Sequence, residues 1–524
     1  MMAIKDKKVL VVGLARSGSG AARLLSLTGA EVKVTDKRTK TELSEVVKGL
    51  GPSVKLVLGG HPEEVFNGSD LIVVSPGVPL EIGPIASARA KGIPVIGELE
   101  LAYQFVMSYG SCVMSKDKLS EKSSSLITHH SSPFLAITGS NGKSTTTTLL
   151  DHMMRKAGFN TMLGGNIGNA LTEEICKAVM SDGLCVMSKD KEVMREGASA
   201  GSKDKLSEED ASRITHHASP DFIVVEVSSF QLDAIDSFRP HIASILNVTP
   251  DHMDRYHSLT AYRDSKANIY LNQKDGDYLV LNADDPGTLE LYDLHFRSGK
   301  QDRPRIYFFS RTREVEGIYS KAGKVYCNIP EIACNKYLID ADEIRIRGVH
   351  NLENAMAASA MALLANCPPE AVTKSLKEFG GLEHRLELVR ELDGVKYIND
   401  SKGTNTGAVV KSIESFAEPL VLIAGGRDKA GDFSLLRGPV SQKVKAIILI
   451  GEASGKIKDA LGDITETVMA KDLAEAVTLS RQMSGKGGVV LLSPACASFD
   501  MFRDYEDRGR QFKKLVMELK GDDV

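Results

Sequence analysis

Short apolar runs ending in glycine, aspartate or serine recur along the chain: KKVLVVG, EVKVTD and LIVVSPG early, PFLAITG, FIVVEVSS and SILNVTP in the middle, and PLVLIAGG, KAIILIG and GVVLLSPA near the end. Unbroken apolar runs of this length mark strands buried on both faces, and the stretches between them carry helical spacing. The pattern predicts an α/β protein with parallel sheets in three units, at about 1–106, 107–381 and 382–524. In such sheets ligands bind beyond the carboxyl ends of the strands, and the polar clusters of this chain follow its strands.

Two segments break the pattern. SYGSCVMSKDKLSEKSSSLITHHSS (108–132) and DGLCVMSKDKEVMREGASAGSKDKLSEEDASRITHHAS (182–219) share CVMSKDK, SKDKLSE and ITHH, so they are copies of one element. Each enters just before a strand. His129, His130, His216 and His217 travel with the repeat and lack a partner cysteine or carboxylate pattern, which favours solvated loops over metal ligation.

The chain has 524 residues, 42% hydrophobic and 26% charged, with a formal net charge of -4. That balance gives no broad basic surface, so neither nucleic acid nor an anionic membrane is expected as the main partner. No stretch approaches the ~18 apolar residues of a membrane span, and MMAIKDKKVLVVG runs into a strand without an apolar signal core. A cytoplasmic protein without membrane insertion is expected, and a monomer. The seven cysteines, Cys112, Cys176, Cys185, Cys327, Cys334, Cys367 and Cys496, are scattered without CxxC spacing, which suits reduced thiols.

AITGSNGKSTTTTLL (136–150) places a glycine loop, a lysine and hydroxyl residues after an apolar run. Counting back from Gly142 puts Ile137 where the first glycine of G-x-x-x-x-G-K-[ST] would stand, so the P-loop match is partial. Gly139 and Gly142 still permit a tight turn with inward N–H groups, and a helix starting near Ser144 points its positive end at the same spot. An anion belongs there. Glu226 ends FIVVEVSS and His252 lies in TPDHMDRY after SILNVT; in a parallel sheet both share an edge with the Lys143 loop, the makings of a magnesium–phosphate site. Taken alone, His252 has a core histidine with a satisfied ring as its minority reading. Asn166, on the glycine turn GGNIG, suits a substrate or ion contact. In the first unit GLARSGSG (13–20) resembles a dinucleotide fingerprint with Ala15 in place of the middle glycine, Asp36 ends the next strand, and SPG at 75–77 forms another strand-end turn. The third unit offers LEHRLE, YINDSKGTNTGA, AGGRDKAGDF and SPACASFDMFRDYEDRG, with Arg385, Asp400, Lys402, Lys429 and Ser498; each could equally be a surface loop.

Taken in order, TGSNGKST, EVSSFQL, NVTPDHMDRY, HNLENAMAA, HRLE, NDSKGTN and LSPACASFDMFRDYEDRG resemble the Mur ligases, ATP-dependent amide-forming enzymes of cell-wall peptide assembly. The likeness covers nearly the whole chain outside the two repeats, and GxxGKS is that family's P-loop variant. It implies a Rossmann-like N-terminal domain (1–106) for a UDP-substrate, a P-loop-type central domain (107–381) for ATP, and a Rossmann-like C-terminal domain (382–524) for ATP and an amino acid. HRLE with SPACAS and DYEDRG is similar to the D-glutamate-adding branch, which implies UDP-N-acetylmuramoyl-L-alanine and D-glutamate as substrates.

Carried over residue by residue, the resemblance implies that Gly139, Asn141, Gly142, Lys143, Ser144 and Thr145 hold the ATP phosphates, with Asn351, Asn354, Arg385, Asp400 and Lys402 also serving ATP. Two Mg2+ ions are implied, one at Ser144 and Glu226 and one at His252, with Lys266 in AYRDSKANIY carbamylated by CO2 so that a cationic side chain becomes an anionic ligand. Thr404, Lys429, Ser498 and Tyr505 would serve D-glutamate. Arg16, Ser17, Asp36, Lys37, Arg38, Ser75, Gly77 and Asn166 would serve the UDP-sugar side. The catalytic set implied is Lys143, Glu226, His252, Lys266 and Arg385, acting through an acyl phosphate. The alternatives are another ligase of the same superfamily (alanine-adding, diamino-acid-adding or folylpolyglutamate-forming), a nicotinamide-dependent dehydrogenase built on GLARSGSG, and a non-catalytic nucleotide-binding regulator.

Overall fold

The computed structural model describes residues 4–113, 132–181, 220–253, 255–297, 303–330, 332, 334–428 and 431–521. Contacts divide the chain into two compact units, Met1–Glu378 and Phe379–Val524.

The first unit holds two sheets. In the first sheet β1 (Lys8–Val12), β2 (Glu31–Asp36), β3 (Lys55–Leu58), β4 (Leu71–Val74) and β5 (Val95–Gly97) pair in the order β3-β2-β1-β4-β5, all parallel. β1 and β4 are buried almost end to end because their residues are apolar on both faces, and separate clusters of apolar side chains cover those faces. The second sheet comprises β6 (Phe134–Thr138), β7 (Thr161–Gly165), β8 (Phe222–Glu226), β9 (Ile242–Ile245), β10 (Tyr278–Asn282), β11 (Arg305–Ser310), β12 (Gly317–Lys321), β13 (Lys324–Ile329) and β14 (Cys334–Asp340). Its order is β14-β13-β12-β11-β10-β9-β6-β8-β7, parallel from β7 to β12 and closed at one edge by antiparallel β12–β13–β14. β6, the centre of the chemistry below, sits between β8 and β9.

The helix Glu98–Val113 joins the two sheets and runs through the expected boundary at 106/107 and the expected start of the first repeat at 108. Its packing explains why. Leu99, Ala102 and Tyr103 belong to the core of the second sheet, where Tyr103 meets Phe134 and Phe238 edge to face. The fully buried Glu100 carboxylate accepts the backbone N–H groups of Asp236, Ser237 and Phe238 at 2.8–3.0 Å. Residues 114–131 of the first repeat and the whole of the second, 182–219, with the four histidines, lie outside the described residues. Their flanks meet: Ser132 Oγ donates to the Pro220 carbonyl, and β6 and β8 start side by side with Phe134 opposite Ile223. Both insertions therefore enter at the amino edge of neighbouring strands.

In the second unit β15 (Glu387–Leu392), β16 (Val395–Asn399), β17 (Leu420–Gly425), β18 (Val444–Ile450), β19 (Glu466–Met469) and β20 (Val489–Leu492) pair as β15-β16-β20-β17-β18-β19. All neighbours are parallel except β15 and β16, a hairpin turned by Asp393 and Gly394, both at positive φ. Helices packed on both faces bury two apolar clusters.

Candidate functional site

β6 ends at Thr138, Gly139 and Gly142 take φ of 152° and 84°, and the helix Lys143–Lys156 begins at once. No side-chain cap bonds to the start of that helix among the described residues, and its positive end faces the loop, the arrangement that favours an anion. A Cβ on Gly142 would stand 2.2 Å from Asn354 Oδ1, so the absent side chain is what lets the helix Val349–Leu364 lay Asn354 against the loop. Asn354 in turn donates to Asn351 Oδ1 at 3.2 Å. The loop is latched to the segment after β9: Ser140 Oγ reaches the Thr249 carbonyl at 2.9 Å, and Asn141 N–H donates to Asn247 Oδ1 at 2.8 Å. TGSNGKST and NVTPDHMDRY, about 110 residues apart in sequence, thus form one surface.

Two lysines converge on a single carbonyl. Lys143 Nζ donates to the Gly139 and Ser140 carbonyls at 2.8 and 3.0 Å, and Lys266 Nζ donates to the same Gly139 carbonyl at 2.9 Å. Lys266 is 1% exposed and its Nζ lies 4.3 Å over the Tyr262 ring. Burial, with the Lys143 charge beside it, pushes Lys266 down to about 6, against weaker opposing effects of Asp251 and Asp233. That direction favours the uncharged amine at neutral pH.

Glu226 closes β8 one strand away and is 2% exposed. Its Oε1 accepts from Asn166 Nδ2 at 2.8 Å, while its buried Oε2 has no hydrogen-bond partner among the described residues. A carboxylate oxygen left so is costly unless a cation meets it. GGNIG is held here because Gly165, at φ 100°, runs against the Glu226 backbone, where a Cβ would stand 2.3 Å from the Glu226 carbonyl oxygen. Ser144, on the first turn of the P-loop helix, and Thr145 are buried.

His252 is no core histidine. Its side chain is 48% exposed, its φ is 54°, and its ring lies 4.8 Å from that of Phe230, with Asp251 Oδ2 3.7 Å from Nε2. Among the described residues no three His, Cys, Asp or Glu side chains converge. The Glu226 carboxylate and the Ser144 hydroxyl are oxygen donors of the kind a hard divalent ion takes.

In the first sheet Asp36 is committed internally. Its carboxylate accepts from Leu14 N–H at 2.6 Å, Arg38 N–H at 2.8 Å and the Arg38 guanidinium at 2.9 and 3.0 Å. Burial raises its pKa, but these bonds outweigh it and hold it at about 2. Ser75 Oγ donates to the Gly13 carbonyl at 2.8 Å, closing the turn of GLARSGSG, whose helix begins at Arg16 and includes Ser17. Lys37 and Gly77 are exposed. Arg16 donates to the Gly168 carbonyl at 2.9 Å, so the first sheet's loop touches GGNIG.

In the second unit the loops after β16, β20 and β17 gather at adjacent carboxyl ends. Asp400, fully enclosed, accepts from Ser493 Oγ at 2.6 Å, Ser412 Oγ at 2.7 Å and Leu386 N–H. Burial raises its pKa against those bonds and the charge of Arg385. Arg385, Lys402 and Thr404 are half-buried, Lys402 Nζ lies 5.7 Å over the Tyr505 ring, and Ser498 is buried in the turn that precedes the Tyr505 helix. Lys429 lies outside the described residues. Sequence reasoning passed over Arg508. Wholly buried, it donates to Ser401 Oγ and the Ser401 carbonyl, both at 2.9 Å, and to the Cys496 carbonyl at 3.3 Å, pinning SPACAS to NDSKG. His384 is also a pin: its ring lies 2.9 Å from Asn399 Nδ2, and a Cβ on Gly509 would collide with it.

Family profiles match all three parts: "Mur ligase MurD-like, N-terminal domain" at 7–97, "Mur ligase middle domain" at 137–362 and "Mur ligase, glutamate ligase domain" at 384–496. A UDP-N-acetylmuramoylalanine--D-glutamate ligase from Citrifermentans bemidjiense is 40% identical over 98% of both chains. The chain belongs to the Mur ligase family. A second relative of the same name, from Pelotomaculum thermopropionicum, is 39% identical over 98% of both chains. Among solved structures, this Mur ligase resembles the UDP-N-acetylmuramate-alanine ligase of Thermotoga maritima (17% identity, TM-score 0.52, 98% and 100% coverage). It also resembles the D-alanyl-D-alanyl-adding ligase of Acinetobacter baumannii (15%, 0.53, 97% and 93%). These share the three-domain α/β fold.

Proposed function

We propose the following assignment of roles for this Mur ligase, an ATP-dependent, ADP-forming ligase that joins D-glutamate to UDP-N-acetylmuramoyl-L-alanine in peptidoglycan synthesis. Full-length likeness to relatives named for D-glutamate addition carries the substrate choice. The chemistry starts from the loop. Lys143 and the first helix turn receive the ATP phosphates beside Ser144 and Thr145, with Gly139, Asn141 and Gly142 shaping the cradle. Asn351 and Asn354 border the same loop. Magnesium at Ser144 and Glu226, and a second ion at His252, would lower the negative charge of the phosphates. Lys266 as the carbamate would face these ions as an anion; the neutral, buried amine is the form that adds CO2.

The L-alanine carboxylate is a weak electrophile. The γ-phosphoryl group passes to one carboxylate oxygen and ADP departs; the D-glutamate amine then attacks the acyl carbon, phosphate leaves, and the amine proton is released. No side-chain nucleophile is required, since positioning and electrostatics supply the rate. Arg385, Asp400 and Lys402 act on the ATP side and Thr404, Lys429, Ser498 and Tyr505 on D-glutamate. Arg16, Ser17, Asp36, Lys37, Arg38, Ser75, Gly77 and Asn166 serve the UDP-sugar, with Asp36 shaping the turn. The domain limits 1–106, 107–381 and 382–524, a monomeric state and a cytoplasmic location belong to this proposal; no helix among the described residues is long and apolar enough to cross a membrane. Phosphate release with the UDP-sugar tests it: D-glutamate should support turnover, and equal turnover with L-alanine or a diamino acid would reject it.

A further inference from the structure

EVSSFQLD, the segment that follows Glu226, ends on a carboxylate with no part in the chemistry above. Asp233 is half-buried at the end of the short helix Ser229–Leu232, which a Ser228–Gln231 capping box holds in place. Its Oδ2 accepts from the Tyr256 hydroxyl at 2.6 Å and its Oδ1 from the Ser265 hydroxyl at 2.5 Å. Tyr256 Oη and Ser265 Oγ are themselves 3.2 Å apart, and Ser265 Oγ lies 3.1 Å from the Ser229 carbonyl. These partners come from three different segments. Tyr256 closes the loop that carries His252, stacking on Phe230 at 5.8 Å, and the same Phe230 ring meets His252 and the Arg255 guanidinium. Ser265 immediately precedes Lys266 on the helix Leu259–Ala267. Asp233 itself lies seven residues after Glu226 on the chain leaving β8. One carboxylate therefore ties together the segments bearing Glu226, His252 and Lys266.

We infer that Asp233 is a positioning residue: through Tyr256 and Ser265 it fixes the mutual placement of the Glu226, His252 and Lys266 segments, and so sets divalent-cation affinity without touching the ion. The inference rests on the cation site proposed above. Groups of this kind behind a metal's ligands typically change affinity by about 10–100-fold when removed. Two acceptors on one rigid carboxylate are needed; either hydroxyl alone leaves one segment loose.

The test measures Mn2+ binding by electron paramagnetic resonance with ADP present, beside steady-state kinetics and thermal melting, for Asp233→Ala, Tyr256→Phe, the double variant and Glu226→Gln. Asp233→Ala should weaken Mn2+ about tenfold and raise the Mg2+ requirement of turnover, with the KM for D-glutamate unchanged. Tyr256→Phe should weaken Mn2+ in the same direction, and the double variant should lose less than the product of the two single losses. If Glu226→Gln weakens Mn2+ while a folded Asp233→Ala binds it normally, the positioning role is wrong and the cation site stands. If Glu226→Gln leaves Mn2+ binding unchanged, the cation site itself is wrong. Should Asp233→Ala fail to fold, Tyr256→Phe decides: normal Mn2+ affinity in that variant overturns the inference.

Discussion

Lys266 invites a quantitative test, because its environment dictates an unusual protonation state. The side chain is 1% exposed, and its ammonium would sit buried beside Lys143 with the Gly139 carbonyl as its acceptor among the described residues, which brings its pKa down to about 6. At pH 7.5 that leaves about 30 neutral amines for each ammonium, whereas an ordinary lysine has about one in a thousand neutral. Only the neutral amine adds CO2, so burial raises the reactive fraction about a thousandfold. The expected outcome is turnover that falls in CO2-depleted buffer at pH 7.5 and returns on adding bicarbonate, together with a carbamate carbonyl resonance in carbon-13 NMR that Lys266→Ala lacks. Lys266→Ala should lose activity by a hundredfold or more, with partial recovery on adding a short carboxylic acid. Linkage gives a second signature. The folded-state pKa of about 6 lies below the unfolded value near 10.5, so between them the unfolded chain binds more protons, and the unmodified protein gains stability as pH rises through that window. Lys266→Met should flatten this slope. Near-normal turnover in Lys266→Ala, or a missing carbamate signal at saturating bicarbonate, would refute the reasoning.

Gly142→Ala forces a Cβ 2.2 Å from Asn354 Oδ1 at φ 84°, and should cost about 1–3 kcal/mol in a melt and weaken ATP binding; unchanged ATP affinity would separate Asn354 from the loop's function. Arg508→Met leaves the Ser401 and Cys496 carbonyls without their buried donor and should destabilise the C-terminal unit by about 3 kcal/mol, read by denaturant titration. The Asp36 carboxylate, held at about 2, contributes stability that is present above the unfolded carboxylate value near 3.8 and lost as pH falls from there through about 2; Asp36→Asn should flatten the acid limb of a pH–stability curve. Replacing 114–131 and 182–219 with short Gly/Ser links should leave the KM for ATP and D-glutamate within a few-fold. Both enter at the amino edge of five-residue strands, about 16 Å from the opposite edge, and a hundredfold loss in a folded variant would assign them a catalytic or regulatory role.

Each of the nine apolar runs singled out in the sequence overlaps a parallel strand, because apolar side chains fill most of those strands, but the equally apolar and buried β10, YLVLN, was passed over. Legibility failed where burial is one-sided or partnership is distant. β13 alternates and sits near the sheet edge, and β15 is mostly half-buried, so neither shows an unbroken apolar run, and the Asp-Gly pair at 393–394 that turns the hairpin was passed over. The helix Glu98–Val113 belongs by packing to the second sheet, through Tyr103 and the Glu100 carboxylate; no local pattern announces contacts with residues more than 130 positions away. Arg508 and Asp233 were passed over for the same reason. In sequence each is one charged residue among many, and only the fold supplies the hydroxyls and carbonyls that each one joins.

The central claim is D-glutamate addition through an acyl phosphate, and an isotope experiment tests both halves together. UDP-N-acetylmuramoyl-L-alanine labelled with oxygen-18 in its alanyl carboxylate is incubated with ATP, Mg2+ and each acceptor amino acid, and the released phosphate is analysed by mass spectrometry. With D-glutamate, one labelled oxygen should appear in each phosphate released, in step with formation of the amide product, and L-glutamate, L-alanine and a diamino acid should give little of either. Unlabelled phosphate accompanying product would contradict the acyl phosphate, and equal labelled release with another acceptor would contradict the assignment to D-glutamate.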